Sequence, residues 1–103
     1  MTEDMITRIY ELRSRLSRIA ETLNELRGVE AELREALRAL DVFKPKRVYR
    51  IFGGRVMIEI PPEEARRVIE EELELIKVRA SKLEEEQSKL LKELRELEKR
   101  LGL

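Results

Sequence analysis

Two long runs of apolar residues at three-and-four spacing constrain what this chain can fold into more than any other feature. The first comprises Met5, Ile9, Leu12, Leu16, Ile19, Leu23, Leu26, Leu33, Leu37 and Leu40, interrupted once, at Glu30. The second comprises Ile69, Leu73, Ile76, Ala80, Leu83, Leu90, Leu94, Leu97 and Leu101, with the polar Gln87 at one seam position, and keeps its phase throughout. Apolar residues repeating every 3.5 positions keep one side of an underwound helix against a partner helix, so each run reads as a coiled-coil seam. In the first, Leu16, Leu23 and Leu37 take position a, and Leu12, Leu26, Leu33 and Leu40 take position d. Gly28 falls inside this helix, where it costs roughly 1 kcal/mol against Ala and invites bending or fraying. Pro61-Pro62-Glu63-Glu64 opens the second helix. Proline loses no helical hydrogen bond in the first turn, and acidic side chains suit the positive end of the dipole. Gly102 closes it.

Two seams of equal length on one chain are expected to zip together antiparallel. Pairing like positions sets Leu40 against Ile69, Leu33 against Ile76, Leu26 against Leu83, Ile19 against Leu90 and Leu12 against Leu97. Glu30 then faces the small Ala80, and Gln87 faces Leu23, as register-setting imperfections.

The segment between the arms, Arg47 to Ile60, has two β-rich stretches around Gly53-Gly54. A two-glycine loop reads as a hairpin turn, because primed turns need positive φ. A two-residue turn pairs Ile51 with Val56 and Tyr49 with Ile58 on one apolar face. It sets Phe52 with Arg55, Arg50 with Met57 and Val48 with Glu59 on the other. Such a ribbon, with an oily face and two open edges, is at best marginally stable alone in water. The expected fold is therefore mainly α, in one domain: helix 4–42, β-hairpin 47–60 and helix 62–101. The two helices form an antiparallel coiled coil, and the hairpin assembles with those of other subunits into an intersubunit β-sheet or barrel.

Composition excludes much else. The 103 residues carry 22 Lys+Arg against 22 Asp+Glu, so no basic field favours nucleic acid or an anionic membrane. Without Cys or His there are no disulfides, thiolates, imidazole bases or ordinary zinc ligands, and no catalytic constellation emerges; an enzyme is not expected. The acidic runs Glu70-Glu71-Glu72 and Glu84-Glu85-Glu86 read as solvated helix faces with i,i+4 pairs such as Glu85 with Lys89, not as metal sites. No cofactor is implied. The start, Met1-Thr2-Glu3-Asp4, lacks a basic region followed by an apolar one, and no apolar stretch reaches about 18 residues, which points to the cytosol. Dense charge with few amides hints at a heat-adapted source.

The order helix, β-hairpin, helix, with Val48-Tyr49-Arg50-Ile51-Phe52-Gly53 leading to Glu64-Ala65 and a Glu-rich heptad helix, resembles the β-type subunit of prefoldin. The likeness is best from Val48 to Leu101. It implies subunits joined through their hairpins into a double β-barrel base, with coiled-coil arms hanging from it as tentacles whose tips hold unfolded proteins. It further implies partners of α type, two with four β-type chains in archaeal members. The activity implied is ATP-independent holding, with transfer of clients to a group II chaperonin.

Antiparallel arms bring both termini to one tip. Its candidate client-binding residues are Met1, Met5, Ile6, Ile9, Tyr10, Leu97, Leu101 and Leu103. Met5, Ile9, Leu97 and Leu101 also belong to the seam and are more readily explained by it. Ile6, Tyr10 and Leu103 fall outside the stripe, and Met is adaptable at promiscuous surfaces. The candidate oligomerisation residues are Val48, Tyr49, Ile51, Phe52, Val56, Met57, Ile58 and Ile60, for which burial in an assembly is a likelier use than binding a ligand. The alternative function is a structural coiled-coil adaptor with the same architecture and no affinity for non-native chains.

Overall fold

The computed structural model describes residues 2–103. Its elements run α1 (Thr2–Phe43), β1 (Val48–Phe52), β2 (Val56–Ile60) and α2 (Pro62–Arg100). The fold is mainly α, two long helices with an antiparallel two-stranded hairpin between them. The chain packs as two compact units, one of residues 1–27 with 78–103 and one of residues 28–77.

In the first unit Ile9, Leu12 and Leu94 form a buried cluster, with Leu16, Leu90, Leu97 and Leu101 packed against it. Leu12 and Ile19 are its most completely buried side chains, each 1% exposed. Ion pairs flank the seam and mark its alignment. Arg8 pairs with Glu93 and Arg15 with Glu86 on one flank, both at 2.8 Å; Arg13 pairs with Glu98 at 3.3 Å and Arg27 with Glu84 at 3.9 Å on the other. Midway between the two flanks, Leu12 comes level with Leu94, not with the expected Leu97. The expected partners Ile19 with Leu90 and Leu26 with Leu83 are displaced by the same three residues, which brings Gln87 level with Ile19 and Ala80 with Leu26. The cause is geometric: like-with-like pairing sets steps of three against steps of four when one helix runs backwards. Facing a with d matches the steps along both helices.

In the second unit Ala65 and Leu73 are the most buried side chains. Arg66 of α2 pairs with Asp41 near the end of α1. The seam-breaking Glu30 is partly buried and pairs with Arg34 one turn on, at 3.2 Å. The helix continues through Gly28, so no break or frayed end occurs there.

Both helix ends are set by local chemistry. The Ala65 N–H donates to the Pro61 carbonyl at 3.0 Å, closing the first turn of α2 over Glu63 and Glu64. At the other end Gly102 adopts φ 75°. The Leu103 N–H reaches the Glu98 carbonyl at 2.8 Å and the Gly102 N–H reaches Lys99 at 3.1 Å, the paired bonds of a Schellman cap. α1 ends with Lys44 at φ 44°, its N–H bonded to the Leu40 carbonyl, just before Pro45.

The hairpin register differs from the two-residue reading by one position. Val48 pairs with Ile60, Tyr49 with Glu59, Arg50 with Ile58, Ile51 with Met57 and Phe52 with Val56. Gly53 and Gly54, at φ 58° and 69°, do make the turn, closed by the Arg55 N–H on the Phe52 carbonyl at 3.1 Å. Arg55, however, has no cross-strand partner, so the connection holds three residues. One extra residue turns β2 over, because successive side chains on a strand point to opposite faces. Val48, Arg50, Phe52, Val56, Ile58 and Ile60 therefore share one face, and Tyr49, Ile51, Met57 and Glu59 the other.

Candidate functional site

The terminal segments Thr2–Arg27 and Val78–Leu103 are brought together by the Leu12 cluster and by a two-point hydrogen bond from Arg8, whose guanidinium donates to both carboxylate oxygens of Glu93 at 2.8 and 2.9 Å. That bond lowers the Glu93 carboxyl below its ordinary range and raises Arg8 further. Arg15 does the same to Glu86, donating at 2.8 and 2.9 Å. Two bidentate pairs thus flank the seam near the termini in the same alignment as its packing.

Against this frame the candidate tip residues separate into two groups. Ile9 is buried, Leu97 and Leu101 pack on the cluster as partly buried residues, and Met5 is half-buried. Ile6, Tyr10 and Leu103 are open to solvent, at 42%, 67% and 74%. Helical geometry explains the division. Ile6 and Tyr10 lie one position beyond the seam residues Met5 and Ile9, which rotates them off its midline. Leu103 follows the cap, past the last turn of α2. Met1 lies outside the described residues.

The hairpin has no cover among the described residues. Val48 and Ile60, at its base, are partly buried, while Tyr49, Ile51, Phe52, Val56, Met57 and Ile58 are all exposed. Neither outer edge has a strand partner among the described residues. Arg50 lies over the Phe52 ring, 4.9 Å from its centroid, so a cation covers part of that aromatic face. The cation beside Phe52 is thus Arg50, its same-face neighbour two residues earlier, and not Arg55, which the two-residue turn had set opposite it.

Sequence reasoning missed a groove of about 650 Å³ within the hairpin unit. Its lining combines the strand residues Val48, Tyr49, Arg50, Ile51 and Ile60 with helix residues that include Leu33, Ala36, Val68 and Ile69, and with Glu32 and Glu72. It also missed the exposure of Val42, Phe43 and Leu75, at 65%, 78% and 66%. One signal was available: Val68 and Leu75 are spaced by a heptad on α2, outside the a and d positions. No three acidic side chains converge as a metal site among the described residues, and no helix there is long and apolar enough to cross a membrane. The arrangement offers apolar surface and strand edges.

Comparison with known proteins agrees with this architecture. The structure superposes on the prefoldin beta subunit from Thermococcus strain KS-1 with a TM-score of 0.85 at 21% identity, covering 96% of this chain and 87% of that one. No curated protein matches the chain in sequence. The profile of the family described as prefoldin subunit matches residues 3–102, nearly the whole chain. The chain therefore belongs to the prefoldin subunit family.

Proposed function

We propose that this prefoldin subunit is of β type and acts as an ATP-independent holding chaperone. It joins related subunits, of its own kind or of an α type and up to a hexamer, through an intersubunit β-sheet or barrel. Its coiled-coil tip holds unfolded proteins and passes them to a group II chaperonin in the cytoplasm. Members of this family are chaperones and not enzymes, and holding requires no catalytic group, nucleotide or cofactor.

The observation that carries the client-holding reading is the exposure of Ile6, Tyr10 and Leu103 beside a well-packed seam. A binder of many non-native chains needs apolar area that is not already used in its own core and that can adapt to varied sequences. The open hairpin supports assembly, because unpaired edges and exposed β-branched side chains are stabilised by joining another sheet. Several tips on one base convert weak contacts into firm holding, since every contact after the first is intramolecular. Dense ion pairing suits an archaeal, heat-adapted setting.

The test is suppression of aggregation of a denatured client, without nucleotide, by the chain alone and with an α-type partner. The triple variant Ile6→Ser, Tyr10→Ser, Leu103→Ser is expected to lose at least half of the wild-type protection while its oligomeric size in light scattering is unchanged. Truncation of residues 1–10 is expected to do the same less cleanly, because it also removes Ile9 and Arg8 from the seam. Undiminished protection by the triple variant would refute the tip assignment. A stable oligomer without any protection would point instead to a coiled-coil adaptor.

A further inference from the structure

All three prolines of the chain meet where the helices join the hairpin. A cleft of about 280 Å³ is lined there by Leu40, Lys44, Pro45, Pro62, Glu63 and Arg66. A second, of about 240 Å³, is lined by Lys46, Glu59, Ile60, Pro61 and Pro62. The two share Pro62 as a common wall. Proline holds φ near one value, so these walls are rigid before any partner arrives and little order is lost in binding one. Phe43, 78% exposed and one turn beyond Leu40, extends the apolar surface on that face of α1.

Each cleft also carries a lysine. Lys44 and Lys46 make no ion pair among the described residues, whereas Asp41 is taken up by Arg66 and Glu59 by Arg47, at 3.7 Å for the latter. Glu63 lies in the first turn of α2, where the helix dipole offsets its charge. The free charge of the junction is therefore positive. Lys44 ends α1 at φ 44°, a left-handed position in which an L side chain is strained and glycine is the usual residue. Glycines hold the other positive-φ positions, Gly53, Gly54 and Gly102, so Lys44 is the one strained side chain among the described residues.

We infer that this junction docks an extended acidic peptide segment of another protein, whose alternate side chains are apolar. Alternate side chains of an extended chain point the same way, so one segment places an aliphatic group in each cleft and sets its carboxylates against Lys44 and Lys46. A purely anionic ligand leaves the proline-walled clefts unfilled, and a purely apolar one leaves both lysines unpaired. The site uses none of the exposed tip residues and, of the hairpin's assembly residues, only the half-buried Ile60.

The experiment is fluorescence anisotropy of a short labelled peptide of alternating acidic residues and leucines, titrated with the full chain at its native oligomeric size. Saturable binding that weakens with salt is expected. Lys44 and Lys46 are exposed, so Lys44→Glu and Lys46→Glu are expected to keep the fold and to weaken binding about tenfold or more. A peptide with serine in place of leucine is expected to lose as much. Lys44→Gly separates docking from capping: it is expected to raise the melting midpoint by a few degrees and still weaken the peptide about tenfold. A lower midpoint in that variant would make Lys44 a structural cap and overturn its assignment. Absent binding, unchanged affinity in the lysine variants, equal affinity for the serine peptide, or tighter binding of polyuridylate would each overturn the site. Lys46→Glu is expected to leave protection of denatured clients unchanged, so failure of peptide docking leaves the holding function standing, and docking without client protection does the reverse.

Discussion

Glu30 and Gln87 both occupy seam positions, and each is accommodated without burying an unpaired polar group. Glu30 keeps its carboxylate at the edge and pairs with Arg34, while Gln87 is only half-buried. No buried side-chain polar atom lacks a partner among the described residues. Gly28 is a different kind of imperfection. A Cβ built there meets nothing within 4 Å, and the residue is exposed inside a continuous helix. Gly28→Ala is therefore expected to stabilise the chain by about 1 kcal/mol through helix propensity alone. In a thermal melt that corresponds to a rise of roughly 4–8 °C for a chain of this size; an unchanged or lower midpoint would show that this glycine serves another purpose.

The helices of the terminal unit are matched by charge as well as by shape. Each of the four interhelical ion pairs there places Arg on α1 and Glu on α2. Two copies of α1 side by side would set arginine against arginine, so the arrangement favours α1 with α2. Glu86→Arg is expected to lower the melting temperature by no more than a few degrees, because both side chains are substantially exposed, and Arg15→Glu in the same chain is expected to recover it. Acid acts on the same pairs. Hydrogen bonds from Arg15 and Arg8 hold Glu86 and Glu93 below their ordinary value of 4.5 in the folded state, outweighing the opposing effect of desolvation. Their stabilising contribution is thus complete above that value and is lost as pH falls through the folded-state values. Melts taken below about pH 4.5 should show a smaller acid-induced drop in a Glu86→Gln, Glu93→Gln variant than in the wild type.

At the scale of the whole molecule, helices and hairpin divide the labour. The seam of the terminal unit buries its leucines within the chain, whereas the hairpin leaves its side chains exposed. Replacing residues 47–60 by a flexible glycine-serine linker is accordingly expected to retain most of the helical circular dichroism and abolish oligomerisation in light scattering. An oligomer of wild-type size from that variant would place the assembly surface on the helices.

Periodicity, turn chemistry and caps were legible from the residues themselves. Both helices, the hairpin between them, the Gly53-Gly54 turn and the Gly102 cap depend on preferences that act over a few neighbouring positions. What only the tertiary structure decided was alignment. Arg55 joins the loop and so inverts β2, and the seam pairs a with d, bringing Leu12 to Leu94. Both depend on how two separate segments fit, and a one-residue or three-residue offset leaves every local preference unchanged. The candidate site was legible to the same extent. Ile6, Tyr10 and Leu103 could be set off the stripe by counting, but the groove between Leu33 and Ile51 belongs to no single element and exists only once strands and helices are brought together.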